Sequence, residues 1–221
     1  MHIELTEMLR CPEPHPQAHL VLSTAEMVGR SVRSGMVGCP VCRREFRIIN
    51  GIVDFGRAGS GQRSEPVRAP GDGLAPPATA PRSPLPASSD RPPLPAPQVL
   101  QALLDLSGPG GIVALVGQAA RYGEGLAGLM AGIHFVGING PVDLTELPVL
   151  SLAVAPDQIP LRDASVRGVV VGADAARAPW LGEAVRVLLR GRRLVIEGED
   201  AAPPGVTRRA AGDGLWVGEK A

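Results

Sequence analysis

Eleven of the chain's 23 prolines fall between Pro66 and Pro97, in a run that begins near Arg57 and is otherwise rich in Ala, Ser, Gly and Arg. Each proline fixes its own φ and removes a backbone donor, so neither a helix nor a strand ladder passes through such a run. Its few apolar side chains follow no period and cannot offset the entropy of ordering the segment. This partitions the chain into a folding unit over 1–56, a Pro-rich disordered linker over 57–97, and a second folding unit over 98–221.

The 221 residues allow one or two domains, and 44% hydrophobic residues suffice for a core. Twenty-two basic residues balance 22 acidic ones, and the two signs also balance within 1–56. Arg43, Arg44 and Arg47 therefore read as a solvated surface, and nucleic acid is not indicated as a partner. Aromatic residues make up only 3% of the chain, which leaves few platforms for stacking bases. The first residues lack a basic stretch followed by an apolar one, and no apolar run is long enough to span a bilayer. The expectation is a cytoplasmic protein with no membrane partner.

All three cysteines lie in the first unit, as C-x₃-H (Cys11, His15) and C-x₂-C (Cys39, Cys42). An odd cysteine count argues against a disulfide framework, while thiolate and imidazole in two close pairs match the tetrahedral preference of zinc. Cys39-Pro40-Val41-Cys42 has the form of a metal knuckle. The first pair is less regular: His15 is the preferred fourth ligand, with His19 and Glu13 as competitors. With no open coordination position, the Zn²⁺ would be structural.

Around these ligands, Leu5, Met8 and Leu9 have helical spacing, and 19–22 reads as a strand. Ser23 and Glu26 form a capping-box pattern that predicts one turn of helix ended by Gly29. Asn50-Gly51 between Arg44–Ile49 and Ile52–Phe55 is a strong hairpin signal, because both central residues of a type I′ turn need positive φ. Leu9-Arg10-Cys11-Pro12, the Cys39–Cys42 knuckle and Phe46-Arg-Ile-Ile-Asn-Gly-Ile52 together resemble the zinc-ribbon family of small activator subunits of tRNA, rRNA and protein methyltransferases. The departure is the missing second cysteine of the first pair. The resemblance implies a ribbon that packs on a methyltransferase domain, either a partner methyltransferase or, by intramolecular docking, the chain's own second unit.

From Gln98 onward an amphipathic helix is followed by apolar strands at Ile112–Val116, Ile133–Ile138, Val149–Val154, Gly168–Gly172 and Arg193–Glu197. Helices are predicted over Glu124–Ala131 and Ala178–Leu189. Continuous apolar strands alternating with helices predict an α/β fold, a doubly wound, mostly parallel, Rossmann-like sheet. The tail around Asp213-Gly214 reads as a closing antiparallel pair. His134 reads as a core residue, and Asp163, Asp174 and Glu197 as loop residues at strand ends.

Ile159-Pro-Leu-Arg-Asp-Ala-Ser165, Val169–Val171, Trp180–Gly191 and Arg193–Ile196 resemble the second half of a class I S-adenosylmethionine (SAM) methyltransferase. The resemblance implies SAM as cofactor, held at Gly117 in the turn after the first strand, at Asn139 after the second, and at Asp157 near the adenine. Three positions depart from the family pattern. The first turn lacks its acid, Asn139 stands where an acid would accept the ribose hydroxyls, and Ala155 stands where an acid would meet the adenine. The expectation is a diverged, non-catalytic methyltransferase-like scaffold, with an active SAM-dependent enzyme of unnamed acceptor as the alternative.

Overall fold

The computed structural model describes residues 1–56, 95–198 and 203–221. Most of the expected linker lies outside the described residues, and its last position, Pro97, opens a helix.

A 3₁₀ turn over Ile3–Glu7 leads into β1 (Val21–Val28), β2 (Ser31–Gly38), β3 (Glu45–Ile49) and β4 (Ile52–Asp54). The second segment supplies α1 (Pro97–Leu104), β5 (Ile112–Val116), α2 (Gly123–Leu129), β6 (His134–Ile138), β7 (Leu150–Val154), β8 (Val166–Val171), α3 (Trp180–Val187), β9 (Leu188–Glu197), β10 (Val206–Gly212) and β11 (Leu215–Lys220). The predicted helical turn at Ser23–Glu26 is corrected: these residues lie within β1. Gly29 takes φ +60° in the turn to β2, and pairing along that hairpin outweighs the local capping signal. Asn50 and Gly51 adopt φ of 50° and 80°, as a type I′ turn requires, and join β3 to β4.

The strands form one sheet in the order β1-β2-β3-β4-β7-β6-β5-β8-β9-β11-β10. Strands β7, β6, β5, β8 and β9 run parallel, with the order reversing direction at β5, and β11 and β10 close the far end antiparallel. This is a doubly wound, Rossmann-like α/β sheet. The small β-rich N-terminal region joins the same sheet: Ile52, Val53 and Asp54 of β4 pair in parallel with Leu152, Ala153 and Val154 of β7, and the Phe55 N–H donates to the Val154 carbonyl at 2.7 Å.

Side chains alternate across the sheet, as the two-residue period of a strand demands. Val113 and Leu115 of β5 pack with α1 and α2, among Leu100, Leu104 and Leu126. Ile112, Ala114 and Val116 face the other way, into a core shared by α3 and the N-terminal region, where Leu5, Leu9, Phe46, Ile48 and Phe55 are buried. The connections from β6 to β7 and from β7 to β8 contain no helix. Parallel crossovers usually carry one to cover the sheet. Here Leu144 and Leu147 of the β6–β7 connection pack on the α1/α2 face, while the 3₁₀ turn and the ribbon strands cover the opposite face, so 1–56 and the α/β segment share a core there.

Candidate metal centre and the carboxyl edge of the sheet

The 3₁₀ turn delivers Cys11 to one end of the ribbon, and the β2–β3 connection delivers Cys39 and Cys42. In that knuckle the Cys39 N–H donates to the Arg44 carbonyl (2.8 Å) and the Arg43 N–H to the Cys39 carbonyl (2.9 Å), while Arg43 takes φ 60° to complete the bend. The ligand atoms of Cys11, His15, Cys39 and Cys42 all lie within 4.8 Å of one another. The Cys11 and Cys42 sulfurs are 3.6 Å apart, and His15 Nε2 is 3.3 Å from Cys39 Sγ. The other ring nitrogen, Nδ1, lies 2.7 Å from the Pro16 carbonyl, which cannot donate. The proton is therefore on Nδ1 and the Nε2 lone pair is aimed at the sulfurs, as a metal ligand requires.

Of the competitors, Glu13 pairs with Arg44 at 2.6 Å, and His19 is exposed and outside the group. Burial pushes the Cys11 thiol up to about 12, with Cys42 and Cys39 adding to the rise. Burial also works against the Cys39 thiolate, but the Cys42 and Val41 N–H groups and the neighbouring thiols bring it down to about 7. Three thiols so close together resist ionising jointly, and a divalent cation is the group that would relieve them. The donor set fits zinc.

The metal loop also grips the connection between β7 and β8. Leu9 bridges Leu161, the Arg10 N–H donates to the Pro160 carbonyl (3.0 Å), and the Arg162 N–H donates to the Met8 carbonyl (2.9 Å). Gln158 Nε2 donates to the Pro12 carbonyl. Asp163 is exposed, and although what desolvation it feels works against its charge, Arg186 and then Arg10 hold its carboxyl below the usual range. Arg186 also donates to the Ile159 and Leu161 carbonyls and pairs with Glu183. Most of these partners lie within the Leu9–Pro12, Ile159–Ser165 and Trp180–Gly191 stretches read from the sequence, but no spacing signals that the three stretches meet one another.

The turns after β5, β6, β7 and β8 meet at the carboxyl edge, where doubly wound sheets bind ligands. Gly117 has φ +66° in the first turn, and the next N–H, of Gln118, donates to Asp174 Oδ1 at 2.9 Å. A Cβ on Gly117 would lie 2.6 Å from both oxygens of that carboxylate. Asn139 has φ 52°. Its Nδ2 donates to the Ala155 carbonyl (2.7 Å) and its Oδ1 accepts from the Ala155 N–H (2.9 Å), tying the end of β6 to the end of β7. Asp157 is exposed in the loop after β7. The structure thus gathers Gly117, Asn139 and Ala155 at one edge, but in contacts with other parts of the chain. Glu197 accepts from the Tyr122 hydroxyl (2.6 Å) and the Ala173 N–H (3.0 Å), bracing the same edge.

No protein-family description matches this chain, and no curated protein does. Among solved structures, a complex of the Haloferax volcanii Trm112 methyltransferase activator with a methyltransferase aligns at 24% identity and TM-score 0.37, over 45% of this chain and 50% of that one. A SAM-dependent methyltransferase from Aquifex aeolicus aligns at 17% identity and TM-score 0.42, over 56% of this chain and 88% of the other. A TehB-like SAM-dependent methyltransferase from Corynebacterium glutamicum aligns at 18% identity and TM-score 0.44, over 57% and 87%. This chain spans half the length of the Haloferax chain it matches. The fold assignment rests on strand order and the parallel ladders, and these alignments assign no residue a role. Among the described residues, no helix is long and apolar enough to cross a membrane.

Proposed function

We propose that this chain is a methyltransferase-fold scaffold that binds a partner and does not transfer methyl groups, with a structural zinc in its N-terminal ribbon. The observation that carries this reading is the Asn139 amide. It satisfies both backbone groups of Ala155, where a cofactor-binding edge would turn a carboxylate toward the ribose. A carboxylate could not replace it, because an ionised acid only accepts and would face the Ala155 carbonyl with no donor. The loss of the acid is thus tied to a structural use of the amide.

Pairing of β4 with β7 favours intramolecular docking of the ribbon over its delivery to a separate methyltransferase. An edge strand of the α/β sheet is a ready template for strand addition, and here the chain's own strand takes it. A partner methyltransferase would have to contact other surface.

Calorimetric titration of SAM into zinc-loaded protein, with Asn139→Ala as control, tests the reading. The expected result is no heat up to millimolar SAM from folded protein. Micromolar binding that Asn139→Ala abolishes would establish the alternative, an enzyme holding SAM through Gly117, Asn139 and Asp157.

A further inference from the structure

We propose that Asp174 is an autoinhibitory contact: its carboxylate occupies the turn after β5 and holds the edge crevice shut, so that removing it admits SAM-like ligands. This deepens the scaffold reading and rests on it.

The closure is built from three turns in direct contact. Glycines at 117, 140 and 172 let them approach. A Cβ on Gly172 would lie 2.8 Å from the Ala119 nitrogen, 3.0 Å from the Gln118 nitrogen and 2.7 Å from Asp174 Oδ1. One on Gly140 would lie 2.7 Å from the Ala120 Cβ and 4.0 Å from the Gly117 carbonyl oxygen. Real Cβ atoms essentially never come as close as the 2.8 Å to the Ala119 nitrogen or the 2.7 Å to the Ala120 Cβ, so ordinary side chains at Gly172 and Gly140 would force the turns apart. Gly117, read from sequence as a place for a cofactor, makes room for Asp174 instead.

The carboxylate excludes a ligand in two ways. It consumes the Gln118 N–H, a donor that the carboxylate of an amino-acid ligand would need, and it stands in the space beside Gly117 that such a carboxylate would enter. The plug is also separable from the core. Its 3₁₀ turn, Ala173–Ala175, is pinned by Ala175, which is buried, and by the Arg177 guanidinium on the Asp174 carbonyl, whereas Asp174 itself is exposed at the rim. Truncating the side chain removes neither anchor.

The test is calorimetric titration of zinc-loaded wild type and Asp174→Ala with SAM and with S-adenosylhomocysteine, alongside melting curves. The expected result is at least tenfold tighter binding by the variant, with melting unchanged. A folded variant that binds no better than wild type overturns the plug and leaves the scaffold reading standing. Micromolar binding by the wild type overturns the scaffold reading itself, and if Asp174→Ala then fails to tighten it, the plug falls too. Should Asp174→Ala melt early, Asp174→Ser provides the same comparison with a smaller change in polarity.

Discussion

At Asn139 one amide donates to and accepts from the same residue, Ala155, in a left-handed backbone conformation that Asn tolerates better than most side chains. Asn139→Asp should therefore lose about 1–3 kcal/mol of stability by urea denaturation, the cost of an unsatisfied and repelled buried group, and gain no SAM binding. A variant of unchanged stability that binds SAM would contradict the structural role. His134 bears on pH. Burial, then the nearby His2 and the Met1 amino group, lower its pKa from 6.5 to about 4, and its Nε2 lies 2.9 Å from Ser151 Oγ. The unfolded chain takes up this proton first, so the stabilisation is complete above pH 6.5 and fades as pH falls toward 4, by up to about 3 kcal/mol. His134→Gln should flatten that part of the pH dependence relative to wild type, as read from denaturation midpoints. In the metal group, His15→Ala should lower zinc content per chain and melting temperature, while His19→Ala should leave both unchanged.

Elements whose determinants are local were legible from sequence. The Asn50-Gly51 hairpin, β5, the closing pair around Asp213-Gly214 and α1 fall where turn chemistry and apolar period put them. The miss at Ser23–Glu26 has a clear source. A capping pattern contributes about 1 kcal/mol to a single turn whose nucleation is itself unfavourable, which cannot match an eight-residue strand paired with β2. The Asn50-Gly51 turn also carries a packing constraint absent from the local pattern. A Cβ on Gly51 would collide with the Glu146 carboxylate, which pairs with Arg33 and the Met1 amino group. Gly51→Ala should thus cost about 2–4 kcal/mol, more than the strain of positive φ alone. A urea-denaturation shift under 1 kcal/mol would show that Glu146 moves aside freely.

Across the whole molecule, the ribbon and the α/β segment bury one another's apolar faces. Leu5, Leu9, Phe46, Ile48 and Phe55 are each no more than 2% exposed, and at about 1.5–3 kcal/mol per buried side chain their combined contribution is on the scale of a whole domain's net stability. A fragment of residues 95–221 should therefore bind hydrophobic dye and lack a cooperative melt, and addition of residues 1–56 in trans with zinc should restore the melt. A fragment that folds alone would place the ribbon outside the core. The sequence by itself determined the residue types with local consequences: two close Cys/His pairs, strand and helix periods, and an Asn-Gly turn. Only the tertiary structure decided that the ribbon completes the same sheet through β4 and β7, that Asn139 serves Ala155, and that Asp174 fills the turn at Gly117. Those pairings join positions far apart in the chain, and no period or spacing encodes which side chain meets which backbone once the sheet has formed.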